Sequence, residues 1–220
     1  MEVRSKKPIL IKFQLKPRID SLQSGIVYMN ELKFFRDMEK LERDDDIGDL
    51  MENNIHSTAY ELPDGRPSNV NLTENSSSNF VFCLFYVPLH LKHFQFSEKQ
   101  KEKLPVFGDT ALIIHDSQEF LNRVLCEAKK GGYKLHHRGV VLYNENEPIP
   151  MEVMDVLTKG LHNIAFMKRE KYHYQQEYRL VINMDKTEKD HIRLNIGDIS
   201  DISFRVSTKQ ILEEGIEIIE

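Results

Sequence analysis

Tryptophan is absent from this 220-residue chain, and cysteine nearly so, with Cys83 and Cys126 the only two. Two thiols, each in an apolar setting, cannot build the disulfide framework of a small secreted domain and read as reduced, buried core thiols. Glycine (10) and proline (8) are too scarce for a collagen-like or low-complexity chain. Long hydrophobic runs are missing too. Stretches such as Phe80–Val87, between Asn79 and Pro88, fall far short of the roughly 20 residues that cross a bilayer, so no membrane contact is expected. The opening Met1-Glu-Val-Arg-Ser-Lys-Lys has no apolar h-region, so the expected location is cytoplasmic. The sequence also lacks G-x-G-x-x-G, Walker A, H-E-x-x-H, C-x-x-C and G-x-S-x-G patterns, which sets aside Rossmann dehydrogenases, P-loop NTPases, zincins and serine hydrolases. What remains is 40% apolar and includes 12 Phe and 8 Tyr, enough for the packed core of a single domain over 1–220.

Charge is segregated along the chain. The net charge is −5, yet Asp37–Glu52 alone carries eight acids against two bases, so the other residues together net +1. Residues 1–36 hold eight bases and three acids, and Arg123–Arg138 holds five bases against one acid, with His136 and His137 alongside. One reading is ordinary solvated faces and an acidic loop. The other is a basic surface for phosphate-bearing ligands, and it mildly favours a nucleic-acid partner.

Hydrophobic periodicity sets out the elements. Alternation over Pro8–Leu15 predicts a strand, Pro17–Ser24 a short helix stopped by Gly25, and Ile26–Asn30 a second strand, after which Asn30 could cap a helix through Lys40. An acidic loop follows. Two β-like stretches flank the Pro63-Asp-Gly-Arg turn, and a Ser/Asn-rich connector covers Thr73–Asn79, so that about 44–79 reads as a loop or insertion. Phe80–Val87 reads as a strand buried on both faces. Ser97-x-x-Gln100 could be a capping box. Asp116-x-x-Glu119 opens a helix whose stripe is Phe120, Leu121, Val124, Leu125 and Ala128, ending at Gly131-Gly132. Tyr133–His136 and Gly139–Tyr143 read as paired strands, Glu152–Leu157 as a short helix, and Glu177–Met184 as a strand with His191–Ile196 as its hairpin partner. Late strands are expected at Ile202–Val206 and Ile216–Ile219. Strands without regular strand–helix–strand alternation argue for an α+β fold of mainly antiparallel sheet with a few flanking helices.

The chemistry concentrates near Glu177. In that strand Glu177, Arg179, Val181 and Asn183 share one face, and Tyr178, Leu180, Ile182 and Met184 the other. A carboxylate and a guanidinium on one side must pair, face water or line a ligand site. A structural ion pair at a sheet edge competes with a catalytic Glu177 that has Gln175 two residues before it. Metal chemistry has thinner support. His90-x-x-His93 and His136-His137 lack partner ligands, and Asp44, Asp45, Asp46 and Asp49 miss calcium-loop spacing, so no metal site is assigned.

Gln175-x-Glu177 leading into an apolar strand resembles the carboxy-terminal signature of ADP-ribosyltransferases. In that family the Glu contacts the nicotinamide ribose of NAD, and the residue two before it orients the acceptor. The front of the chain, Gly25-Ile-Val-Tyr-Met-Asn-Glu-Leu-Lys-Phe-Phe-Arg followed by the acidic loop, is similar to small bacterial and phage proteins of toxin and antiphage-defence type. The resemblance implies a split-sheet transferase fold, NAD as substrate, a nucleic-acid or protein acceptor, and an antitoxin-like partner. It places Lys12, Tyr28 and Asn30 beside NAD, with Tyr28 stacking on nicotinamide. Lys12 stands where the best-known classes carry His or Arg, and no Ser-Thr-Ser triplet follows, so arginine-specific toxins are poor models. Lys12, Arg36 or Arg179 could hold the pyrophosphate, and Glu177 would stabilise positive charge developing on the ribose. Two alternatives stand beside this reading. One is a non-catalytic binding or inhibitor module, and the other a metal-dependent nuclease using Glu177 with the Asp44–Asp49 acids, weakened by Arg179 standing where that chemistry needs Lys.

Overall fold

A computed structural model describes residues 1–35, 37, 54–61, 67–73, 77–144, 165–185 and 187–219. The strands are β1 (Glu2–Arg4), β2 (Ile9–Gln14), β3 (Ile26–Glu31), β4 (Asn54–Glu61), β5 (Pro67–Thr73), β6 (Ser77–Val87), β7 (His93–Phe94), β8 (Thr110–Ile114), β9 (Lys134–Val140), β10 (Leu142–Asn144), β11 (Met167–Arg169), β12 (Glu177–Asp185), β13 (His191–Asn195), β14 (Ser203–Ser207) and β15 (Ile216–Ile219). The helices are α1 (Lys16–Gln23), α2 (Glu98–Lys103), α3 (Ser117–Lys130) and α4 (Thr208–Glu214), with a further helix that starts at Leu32. The architecture is α+β, with mostly antiparallel pairing and few helices. Among the described residues no helix is long and apolar enough to cross a membrane.

The largest sheet is organised around β6, which pairs with β12 along one edge through Ser77–Phe85. Its other edge is shared. Phe80 and Val81 pair with β3, and Phe85–Val87 pair with β2. Between these contacts Phe82, Cys83 and Leu84 have no strand opposite them, because β2 turns away to continue its pairing with β8. The sheet therefore forks, with β2 and β3 as its prongs.

Each face of the sheet carries its own core, as period-two alternation requires. On one face Leu10, Val27, Phe82 and Leu180 pack with Ile19 of α1 and Phe120 of α3. On the other, Ile11, Phe85 and Ile113 pack with Tyr172, Tyr174 and Ile211 of α4. Helix α3 forms as its sequence requires. The Asp116 carboxylate accepts the Glu119 N–H at 3.0 Å, and Phe120, Leu121, Val124 and Ala128 are buried. In α2 the Ser97–Gln100 capping box has both its hydrogen bonds. Gly25 takes φ 104 after α1, and a Cβ there would lie 2.2 Å from the Gly197 carbonyl oxygen.

Several expectations need correction. Asn30 lies within β3 instead of capping the next helix, which begins at Leu32. Ser77–Asn79 extend β6 rather than forming a connector, since Asn79 pairs with Asn183. The two expected strands at 133–143 do not pair with each other. The first pairs with β12 as β9, and β10 runs parallel to β11. Likewise β13 pairs with β3 rather than with β12, whose two edges are already taken by β6 and β9. The expected pair of buried core thiols is found only in part, since Cys83 is half-buried and Cys126 is exposed. The hairpin of β4 and β5 realises the two stretches around Pro63, whereas Arg36, Asp44–Asp49 and the expected helix Glu152–Leu157 lie outside the described residues.

Candidate functional site

Strand β12 starts abruptly. The preceding Glu170–Gln175 forms a 3-10 turn closed by Gln176 in the left-handed region (φ 38, ψ 52), the sole non-glycine residue at positive φ among those described. Such a conformation costs about 1 kcal/mol or more and persists where its surroundings over-determine it. Here the Gln176 carbonyl accepts the Tyr86 N–H at 2.9 Å, and its side-chain oxygen accepts from Gln100 Nε2 at 3.2 Å. Gln175 is therefore not in extended chain, as equal orientation with Glu177 would have required. The turn nonetheless brings both residues to one ammonium. Lys168 Nζ donates to Gln175 Oε1 at 2.6 Å and to Glu177 Oε1 at 2.7 Å.

The second carboxylate oxygen of Glu177 accepts from Arg179 Nε at 2.7 Å, and Arg179 also donates to the Ala165 carbonyl at 2.6 Å. The three charged side chains are buried, with 9% of Glu177, 4% of Lys168 and 2% of Arg179 exposed. The ion pair foreseen from Glu177 and Arg179 thus runs along one strand in the interior, not across strands at an edge. Burial alone would push the Glu177 carboxyl up, but the charges and hydrogen bonds of Arg179 and Lys168 prevail and hold it well below the usual carboxylate range. Glu177 stays ionised at any ordinary pH. It is no general acid or base near neutrality, and its chemistry is that of a fixed negative charge.

The fork brings Lys12 to the same place. Where β2 leaves β6, Lys12 Nζ donates to the unpaired Cys83 carbonyl at 2.8 Å and lies 4.9 Å from the centre of the Phe82 ring. Loss of hydration lowers its pKa, partly opposed by Cys83 and Glu177. The Cys83 thiol is pushed up to about 12, chiefly by burial and then by the Glu177 charge. A cavity of about 70 Å³ opens between them, lined by Lys12, Cys83, Gln175 and Glu177 with Phe13 and Phe107 on its apolar wall. It has room for a few waters or a small ion and is well below the roughly 300–1,000 Å³ of pockets that enclose larger ligands.

Of the residues singled out from sequence, Lys12, Gln175, Glu177 and Arg179 converge. Tyr28 and Asn30 lie on the other prong, on the same sheet face, since Asn30 stands opposite Val81 and Val81 opposite Val181. That row is four residues from Glu177 along β12, about 13 Å at the usual strand rise. The Tyr28 ring is already stacked on His191, with centroids 4.6 Å apart, and Arg18 and Arg193 lie 5.6 and 5.4 Å from its centre. Lys168 and Tyr143, whose hydroxyl accepts the Glu177 N–H at 2.9 Å, were not foreseen. A signal for Lys168 existed, because a carboxylate and a guanidinium on one buried face require further polar partners, and Lys168 stands nine residues before Glu177. Among the described residues no cluster of three His, Cys, Asp or Glu could hold a metal. Compared with family models, curated proteins and solved structures, the chain matches none of them.

Proposed function

We propose that this chain is an NAD-consuming enzyme of ADP-ribosyltransferase type, acting on a nucleic-acid or protein acceptor in conflict between bacteria and phage. The observation that carries the reading is the buried Glu177 carboxylate, held by Lys168 and Arg179 at the start of a central strand and lining a cavity at the fork of a split sheet with Gln175 and Lys12 beside it. A fixed carboxylate suits a reaction that builds positive charge on a ribose, because its interaction is stronger in the transition state than in the ground state. Tyr28 and Asn30 on the second prong and Lys12 on the first keep the order that the resemblance implies. The cavity as it stands does not admit a dinucleotide, so the reading requires the fork to widen on binding. The test is incubation with labelled NAD and RNA, DNA or lysate, following release of nicotinamide and label transfer. Turnover by the wild-type chain that Glu177→Gln abolishes supports the reading, and intact NAD with a folded wild-type chain overturns it.

A second reading has its own support. Both oxygens of Glu177 are engaged by cations, which partly offset its charge, as in a structural ion cluster within a non-catalytic binding or inhibitor module. On that reading the antitoxin-like or other partner, and not NAD, is the ligand, and Glu177→Gln changes stability alone.

A further inference from the structure

On the sheet face opposite Glu177, Tyr86 and Tyr178 stack with ring centres 5.9 Å apart and planes 20° from parallel. A pocket of about 200 Å³ adjoins them, floored by Leu10 and Leu121 and flanked by Lys7 and Arg138. It shares Pro8 and Tyr86 with a groove of about 880 Å³ that runs past Leu89 to His90, Lys92 and His93. Lys7, Lys92 and Arg138 are exposed and make no ion pair with a described residue. Among the described residues the one carboxylate lining either hollow, Glu217, stands 3.9 Å from His93 Nδ1. Three cations far apart in sequence, before β2, after β6 and at the end of β9, therefore line one groove formed by these adjoining hollows, with the Tyr86–Tyr178 pair beside it.

We infer that this groove binds single-stranded nucleic acid, with Lys7, Lys92 and Arg138 meeting phosphates and the Tyr86–Tyr178 pair stacking a base. Cations that lack carboxylate partners gain most from a polyanion, through release of its condensed counterions. Half-buried aromatic rings beside a pocket suit an unstacked base, which a duplex does not offer. The Tyr86–Tyr178 pair lies on the other face from Glu177, and Glu177 lines neither hollow, so the inference stands whether or not the chain consumes NAD.

The test is fluorescence anisotropy of a labelled oligouridylate of about 12 nucleotides with the full chain, without NAD. Saturable binding is expected. Three phosphate contacts should weaken it roughly 20-fold between about 50 and 200 mM salt. An abasic oligomer of equal length should bind at least about 5-fold more weakly, as should a duplex. Lys7→Glu with Arg138→Glu, both at exposed positions, should reduce affinity by about tenfold or more. Absence of binding at the lower salt, equal affinity for the abasic oligomer or the duplex, or indifference to the double charge reversal would each overturn the inference.

Discussion

Glu177 shows how far one side chain's behaviour is set by its neighbours. Its carboxylate gives up water, and the ammonium of Lys168 and guanidinium of Arg179 replace that hydration at 2.7 Å each. Removing one member of such a buried cluster costs about 3–5 kcal/mol, so Glu177→Gln should lower the urea-unfolding free energy by about 3 kcal/mol near neutral pH. The pH dependence has a definite sign. Because the folded-state value lies below the ordinary value of 4.5, Glu177 contributes its full stabilisation above that pH and loses it progressively as the pH falls. Wild-type stability should therefore fall more steeply than that of Glu177→Gln below about pH 4, by up to about 1.4 kcal/mol per pH unit. Equal slopes in acid titrations would show that the ion cluster does not persist in solution. The thiols make a separate prediction. Burial holds Cys83 protonated, whereas Cys126 is exposed, so a thiol reagent at pH 8 should modify one cysteine in the native protein and two in denaturant.

Single elements stand on local rules that substitution can probe. In α3, Asp116→Ala removes the side-chain acceptor for the Glu119 N–H and should cost about 1 kcal/mol, while Phe120→Ala empties a fully buried site and should cost about 3–5 kcal/mol. Both are measurable by thermal or urea unfolding, and an order reversed between them would mean that the helix is not anchored by its apolar stripe. Two glycines separate backbone strain from steric exclusion. Gly25 and Gly132 both adopt positive φ, but a Cβ at Gly25 would collide with the Gly197 backbone while one at Gly132 meets nothing within 4 Å. Gly132→Ala should cost only about 1 kcal/mol, and Gly25→Ala several times more, because the contact that joins α1 and β3 to the loop after β13 must open.

At the scale of the molecule the fork in the sheet is the feature on which a site depends. A strand with partners on both edges has its amides protected, and β6 has strands on both edges at Phe80, Val81 and Phe85 but only β12 beside the intervening Phe82–Leu84. Alternation along β6 points the even-numbered amides, such as Tyr86, toward β12 and the odd-numbered ones toward β2 and β3. The Cys83 amide therefore faces the fork and should exchange with solvent about tenfold or more faster than those of Phe82 and Leu84 in native-state hydrogen exchange. Equal protection of the three would mean that the fork is closed. A ligand entering between the prongs should slow Cys83 selectively, an effect readable without any assay of turnover.

Elements governed by near neighbours were legible in the residues. Capping at Asp116 and Ser97, alternation over Ile9–Gln14, and the division of Glu177 and Arg179 from Tyr178 and Leu180 all follow from periods of 3.6 and 2 and from side chains that bond within a few positions. The four residues Lys12, Gln175, Glu177 and Arg179 were also named from the chain, although as a motif and not as a cluster. Partner choice was not legible. That β13 joins β3 and leaves β12 to β9, that Lys168 and Tyr143 complete the surroundings of Glu177, and that Lys7, Lys92 and Arg138 share one groove depend on contacts between residues distant in sequence. Such contacts are selected by competition among all available edges and faces for the same apolar area and hydrogen bonds. That competition is resolved only when the whole chain packs, so a local pattern specifies the strand but not its neighbour.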